Sequence, residues 1–108
     1  AIFYVLSITK DAAYSSERVV KPGMCFRIRG KNLGFDFEDE KQGVFLALKG
    51  DRKKTFRITS FIRRTQRTID AILPQDMEKG VYVVSFVKKN GEGSYPVANT
   101  TYEIEVIE

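Results

Sequence analysis

A chain of 108 residues with 43% apolar side chains can enclose one hydrophobic core, and it is too apolar for a disordered tail. It has no histidine and one cysteine, which excludes imidazole acid–base chemistry, Ser-His-Asp and Cys-His arrangements, histidine-containing zinc sets and any intrachain disulfide. The net charge is +4, and no apolar run approaches the length of a membrane span. The start at Ala1, in a stretch already patterned as a strand, reads as the beginning of an excised or processed piece.

In chain order, Phe3 to Ile8 is aromatic and branched enough for a first strand. Lys10 to Ser16 reads as a polar loop, and Arg18-Val19-Val20 as a short edge strand open to pairing. Pro22-Gly23 then makes a tight turn, because proline presets one dihedral and glycine accepts a positive one. Met24, Phe26 and Ile28 alternate with Cys25, Arg27 and Arg29, which predicts a strand with one buried and one wet face. Gly30 to Gly34 turns the chain away, without the order of glycines, lysine and hydroxyl that a phosphate loop needs. Asp36 to Lys41 is an acidic loop anchored by Phe35 and Phe37.

Val44, Leu46 and Leu48 share one side of the next strand, and Gly50 to Lys54 reads as a turn. Phe56 and Ile58 alternate with Thr55, Arg57 and Thr59, and Phe61-Ile62 either extends this strand or enters a loop. Ile69, Ala71 and Leu73 alternate until Pro74 stops the ladder, and Gln75 to Lys79 has room for one helical turn. Tyr82, Val84 and Phe86 share a face of the most continuous apolar strand. Asn90-Gly91 predicts the next hairpin turn, and Tyr102, Ile104 and Val106 end the chain on alternate positions. About seven strands with turns every 8–12 residues, and no convincing helix, predict an all-β two-sheet sandwich, with a barrel as the alternative.

The stretch Lys21-Pro22-Gly23-Met24-Cys25-Phe26-Arg27-Ile28-Arg29-Gly30-Lys31-Asn32-Leu33 resembles the early part of IPT/TIG-type immunoglobulin-like domains. Gly43 to Leu46, the proline-ended Ile69 to Pro74 and the glycine-led Gly80 to Val87 resemble their later strands. A narrower resemblance is to the carboxyl-terminal immunoglobulin-like domain of Bacteroidetes proteins that begin with an HU-like DNA-binding domain. Tyr4 to Ile8 and Thr101 to Val106 carry it at the two ends. It implies an immunoglobulin-like sandwich working as a non-catalytic accessory module, without cofactor. Its partners would be the other domains of the parent chain, in the cytoplasm or nucleoid. The alternative is a spacer or adhesion domain at the cell surface or in the periplasm. The resemblance also places Tyr82 at a tyrosine corner, where its hydroxyl braces the backbone.

The candidate contact site is electrostatic. Residues 51–67 hold Arg52, Lys53, Lys54, Arg57, Arg63, Arg64 and Arg67 against Asp51, a local +6 in a chain that is otherwise −2. Such a run suits phosphates, with affinity that falls as salt rises, or an acidic protein surface. The bland reading is a solvated surface that guards a strand against edge pairing. Arg57 is expected on the wet face of its strand, with the others converging on it from flanking loops. Asp36, Glu38, Asp39 and Glu40 match no calcium loop and read as a solvated turn. Cys25 reads as a small packed residue, and Asn99-Thr100-Thr101 as a chance match to a glycosylation acceptor.

Overall fold

The computed structural model describes the backbone of residues 4–9 and 19–107, and the side chains of 19–107 apart from 52 and 98–102. The expected loop at Lys10 to Ser16, the strand residue Arg18 and the terminal Glu108 lie outside the described residues. Among the described residues, nine strands follow in order: β1 (Tyr4–Thr9), β2 (Val19–Val20), β3 (Cys25–Lys31), β4 (Gly43–Leu48), β5 (Asp51–Arg57), β6 (Phe61–Arg64), β7 (Thr68–Ile72), β8 (Gly80–Val87) and β9 (Val97–Val106). They form a four-stranded sheet in the order β1-β3-β7-β6 and a five-stranded sheet in the order β2-β9-β8-β4-β5. Every pairing is antiparallel except that of β2 with β9. The result is an immunoglobulin-like sandwich.

Period-two patterning makes the core. Phe26 and Ile28 of β3, Ile69 and Ala71 of β7, Val44 and Leu46 of β4, Tyr82, Val84 and Phe86 of β8, and Ile104 and Val106 of β9 all turn inward and are buried. Each large side chain so enclosed stabilises the fold by about 1.5–3 kcal/mol relative to exposure. Ile58, between β5 and β6, is also buried and plugs the point where the chain passes from one sheet to the other.

Several local expectations hold in detail. The Met24 N–H donates to the Lys21 carbonyl at 3.1 Å across Pro22-Gly23, and Gly23 sits at φ 80°. The Tyr82 hydroxyl donates to the Glu78 carbonyl at 2.7 Å, which makes the expected tyrosine corner. Phe35 packs edge-on against Phe61 and Phe86, and Phe37 against Phe61, so both aromatics do anchor the acidic loop.

Others are corrected. Met24 is 55% exposed, because its segment is still in the turn and the strand begins only at Cys25. Residues 51–54 belong to β5, with a register shift opposite Ala47-Leu48 absorbing the extra length. Phe61 to Arg64 is a strand of its own in the other sheet. Gln75 to Lys79 forms a turn without a helix. In the β8–β9 hairpin the positive φ falls at Gly93 and not at Asn90-Gly91. The Asn90 side-chain oxygen instead accepts from the N–H groups of Glu92 and Ser94, a local substitute for a two-residue turn. The Asn99 glycosylation pattern falls inside β9, within a paired strand.

Candidate polyanion-binding face

The cations predicted from residues 51–67 do not gather into one cluster: among the described side chains Arg57 and Arg64 meet at Phe37, while Lys54 is taken by Glu78. Arg52, Lys53, Lys54 and Arg57 lie on β5, and Arg63 and Arg64 lie on β6; only Arg67 is in a turn. β5 and β6 are edge strands of opposite sheets, and the buried Ile58 lies between them in sequence. The Arg52 side chain lies outside the described residues. Lys53 is exposed, whereas the Lys54 ammonium donates to Glu78 at 3.0 Å, a bond that raises its pKa.

Arg57 takes the outward side of β5, opposite Phe45, as expected, but it is half-buried there. Its guanidinium turns onto the acidic loop, donating to the carbonyls of Gln42 at 2.9 Å, Phe37 at 2.8 Å and Asp39 at 3.1 Å. Its Cζ also lies 4.9 Å from the Phe37 ring centroid. Arg64 approaches the same ring at 4.8 Å, so two guanidiniums stack on one aromatic. The ring's negative faces and the carbonyl oxygens supply partial negative charge that a phosphate would otherwise offer. Arg57 thus closes the mouth of the sandwich by clamping the β3–β4 loop, and Arg64 helps from β6.

The loop's carboxylates serve the same closure. Asp36 accepts from the Glu38 N–H and Asp39 from the Lys41 N–H. The second Asp39 oxygen accepts from the Gln42 side chain at 3.1 Å and from the Tyr95 hydroxyl at 2.9 Å. The Gln42 bond, then the Lys41 and Tyr95 bonds, hold the Asp39 pKa below its ordinary value, since each favours the ionised form. Behind the loop, Gly43 sits at φ 128°, and a Cβ there would come 3.1 Å from the Phe35 ring. Among the described residues no group of His, Cys, Asp and Glu is placed to hold a metal ion.

A different set of cations is brought together on the outer face of the four-stranded sheet. On β3, Phe26, Ile28 and Gly30 point inward, so Cys25, Arg27, Arg29 and Lys31 point outward. The register places Arg27 opposite Asp70 of β7, and Asp70 opposite Arg63 of β6. Arg27 grips the Asp70 carboxylate with Nε at 2.7 Å and Nη2 at 3.0 Å, and this covers Asp70 to 4% exposure. Arg63 reaches the same carboxylate only at 4.0 Å. Arg29 and Lys31 are exposed beside them. The sequence showed which side of β3 these residues take; their meeting with Arg63 required the strand register. Beside this face, an open depression of about 510 Å³ is lined by Gly34, Phe35, Phe61, Ile62, Arg63 and Arg64.

Sheet order, tyrosine corner and sandwich core define an immunoglobulin-like domain of IPT/TIG-like type. The chain belongs to the family described as a domain of unknown function (DUF4469) with IG-like fold, whose pattern matches residues 4–103. No curated protein matches the chain. Among solved structures, it is similar to a Bacteroides vulgatus protein described as a candidate bacterial DNA binding protein, at 21% identity and a TM-score of 0.74. That match covers 95% of this chain and 46% of the other, so the chain spans about half the length of that protein. A Bacteroides ovatus protein of a mixed-linkage glucan utilization locus, SGBP-B in complex with a heptasaccharide, matches at 20% identity and a TM-score of 0.46, over 91% of this chain and 22% of that one.

Proposed function

We propose that the chain is a non-catalytic accessory module of a larger, DNA-associated protein, occupying the place of the immunoglobulin-like domain that follows an HU-like domain in the proteins it resembles. The observation that carries this reading is the overlay of nearly the whole chain on about half of a longer protein described as a candidate for DNA binding. The clamp supports it as well. Three cations of the basic run already have partners within the domain: half-buried Arg57 on carbonyls and Phe37, and, at the surface, Arg64 on Phe37 and Lys54 on Glu78. They serve to hold a rigid block together, which suits a domain that positions its neighbours.

The test is a comparison of the parent protein with and without residues 1–108, read by its affinity for duplex DNA. Affinity reduced by no more than about tenfold is expected, since one tenfold step is only about 1.4 kcal/mol of contact. Abolished binding, with equally tight binding by the 108-residue chain alone, would make this domain the principal DNA-binding element and overturn the accessory reading. A second reading, direct and salt-dependent polyanion contact, is favoured by the cations of the 51–67 run that stay at the surface: Lys53, Lys54, Arg63, Arg64 and Arg67 are exposed, although Lys54 is paired with Glu78 and Arg64 lies over Phe37.

A further inference from the structure

We infer that the outer face of the four-stranded sheet is a docking surface for the phosphate backbone of duplex DNA. This rests on the polyanion-contact reading, and it moves the contact from the linear 51–67 run to a surface that includes Arg29 and Lys31 and omits β5. Outward side chains on β3 recur about every 6.7 Å along the strand. Two strands away, β6 adds Arg63, so the charges spread across the sheet as well as along it. The turn after β6 closes the array: the Gly30 N–H donates to the Arg67 carbonyl at 3.0 Å, which holds Arg67 beside the Lys31 end of β3.

Asp70 is the acid that the described residues of β3, β6 and β7 contribute. It is already covered and neutralised by the two-pronged Arg27 contact. Arg29, Lys31, Arg63 and Arg67 therefore remain as a net excess of positive charge, all four exposed. β5 differs: Lys54 is paired with Glu78, and Asp51 stands on the same strand.

The chemistry favours phosphate. Guanidinium forks match phosphate oxygens two at a time, and Thr68, opposite Arg29 in the register, adds a hydroxyl of the kind that bonds phosphate. A regular face with cations on separate strands suits a repeating, evenly charged polymer. The half-buried Cys25 and Ile72, which could anchor an apolar peptide side chain, sit at the opposite end of the β3–β7 pair from Arg29 and Lys31. Contacts of this kind position a duplex without reading its sequence.

The test measures binding of the 108-residue chain to a labelled mixed-sequence duplex by fluorescence anisotropy across a salt series. Four phosphate contacts give a log–log salt slope of about −3.6, or about 150-fold weaker binding from 50 to 200 mM salt. R29Q/K31Q is expected to halve that slope, leaving about a 12-fold change, with an unchanged urea midpoint. R63Q, on another strand, repeats the test and should remove about 0.9 from the slope. K53Q/K54Q should leave it alone. If K53Q/K54Q lowers the slope and the other variants do not, this face is refuted while polyanion contact stands on β5. Absence of binding by the unaltered chain at 50 mM salt overturns both. Poly-glutamate competing as well as DNA, charge for charge, would make the face a site for acidic protein and refute the duplex assignment.

Discussion

Removing the Arg57 guanidinium separates the two roles that a basic residue in this run could have. In Arg57→Leu, three carbonyls lose a donor, that of Asp39 keeping the Gln42 N–H at 3.0 Å, and the Phe37 ring loses one of its stacked cations. Hydrogen bonds from a charged group contribute about 1.5–3 kcal/mol each, and the stacking about 0.5–1 kcal/mol. The sum overstates the loss, because Phe37 and Asp39 are only half-buried and water can replace the donor at their carbonyls. Gln42 is buried, so its carbonyl is left with the larger share of the penalty. The expected destabilisation is about 2–4 kcal/mol, or roughly 10–20 °C in Tm for a domain of this size. Urea unfolding, followed by tyrosine fluorescence, measures it. Arg57→Lys should fall between, since one ammonium keeps the charge but cannot reproduce the fork. The salt slope of DNA binding should be unchanged in both variants. A stability loss below about 0.5 kcal/mol together with a tenfold loss of DNA affinity would refute the clamp and make Arg57 a phosphate ligand.

Two further predictions concern the same scaffold. Tyr82→Phe removes one 2.7 Å hydrogen bond and leaves the Glu78 carbonyl without that donor, so a loss of about 1 kcal/mol in urea unfolding is expected; an unchanged midpoint would show that the corner braces nothing. Asp39 has a lowered native pKa, so its contribution is present above the ordinary value of 3.8 and is lost as pH falls from there through the native value. Urea midpoints measured from pH 5 downward should therefore drop less steeply in Asp39→Asn than in the unaltered chain, and parallel curves would contradict the assignment.

Much of this fold was legible because its signals are local. Alternation over five to eight residues identifies the inward faces at Phe26 and Ile28, at Tyr82, Val84 and Phe86, and at Ile104 and Val106. Pro22-Gly23 declares its turn in two residues, and Phe35 and Phe37 declare an anchored loop in three. The same local reading failed at Met24, one residue short of its strand, and at residues 51–54. There, charge suggested a turn while pairing with β4 made a strand.

By itself, then, the sequence determined an all-β chain patterned for a sandwich or a barrel, its buried faces and the concentration of positive charge after Gly50, while the family resemblance pointed to the sandwich and its tyrosine corner. Tertiary structure alone decided what that charge does. Arg57 meets carbonyls 15 to 20 residues away, and Arg27 meets Asp70 across 43 residues. Arg63 joins Arg29 and Lys31 on one face only because β7 lies between β6 and β3. Side-chain alternation along one strand is set by the pleat and needs no partner. Which strand lies beside which, and in what register, is fixed by the packing of the whole core, and that packing divided one basic run between an internal clamp and an outer face.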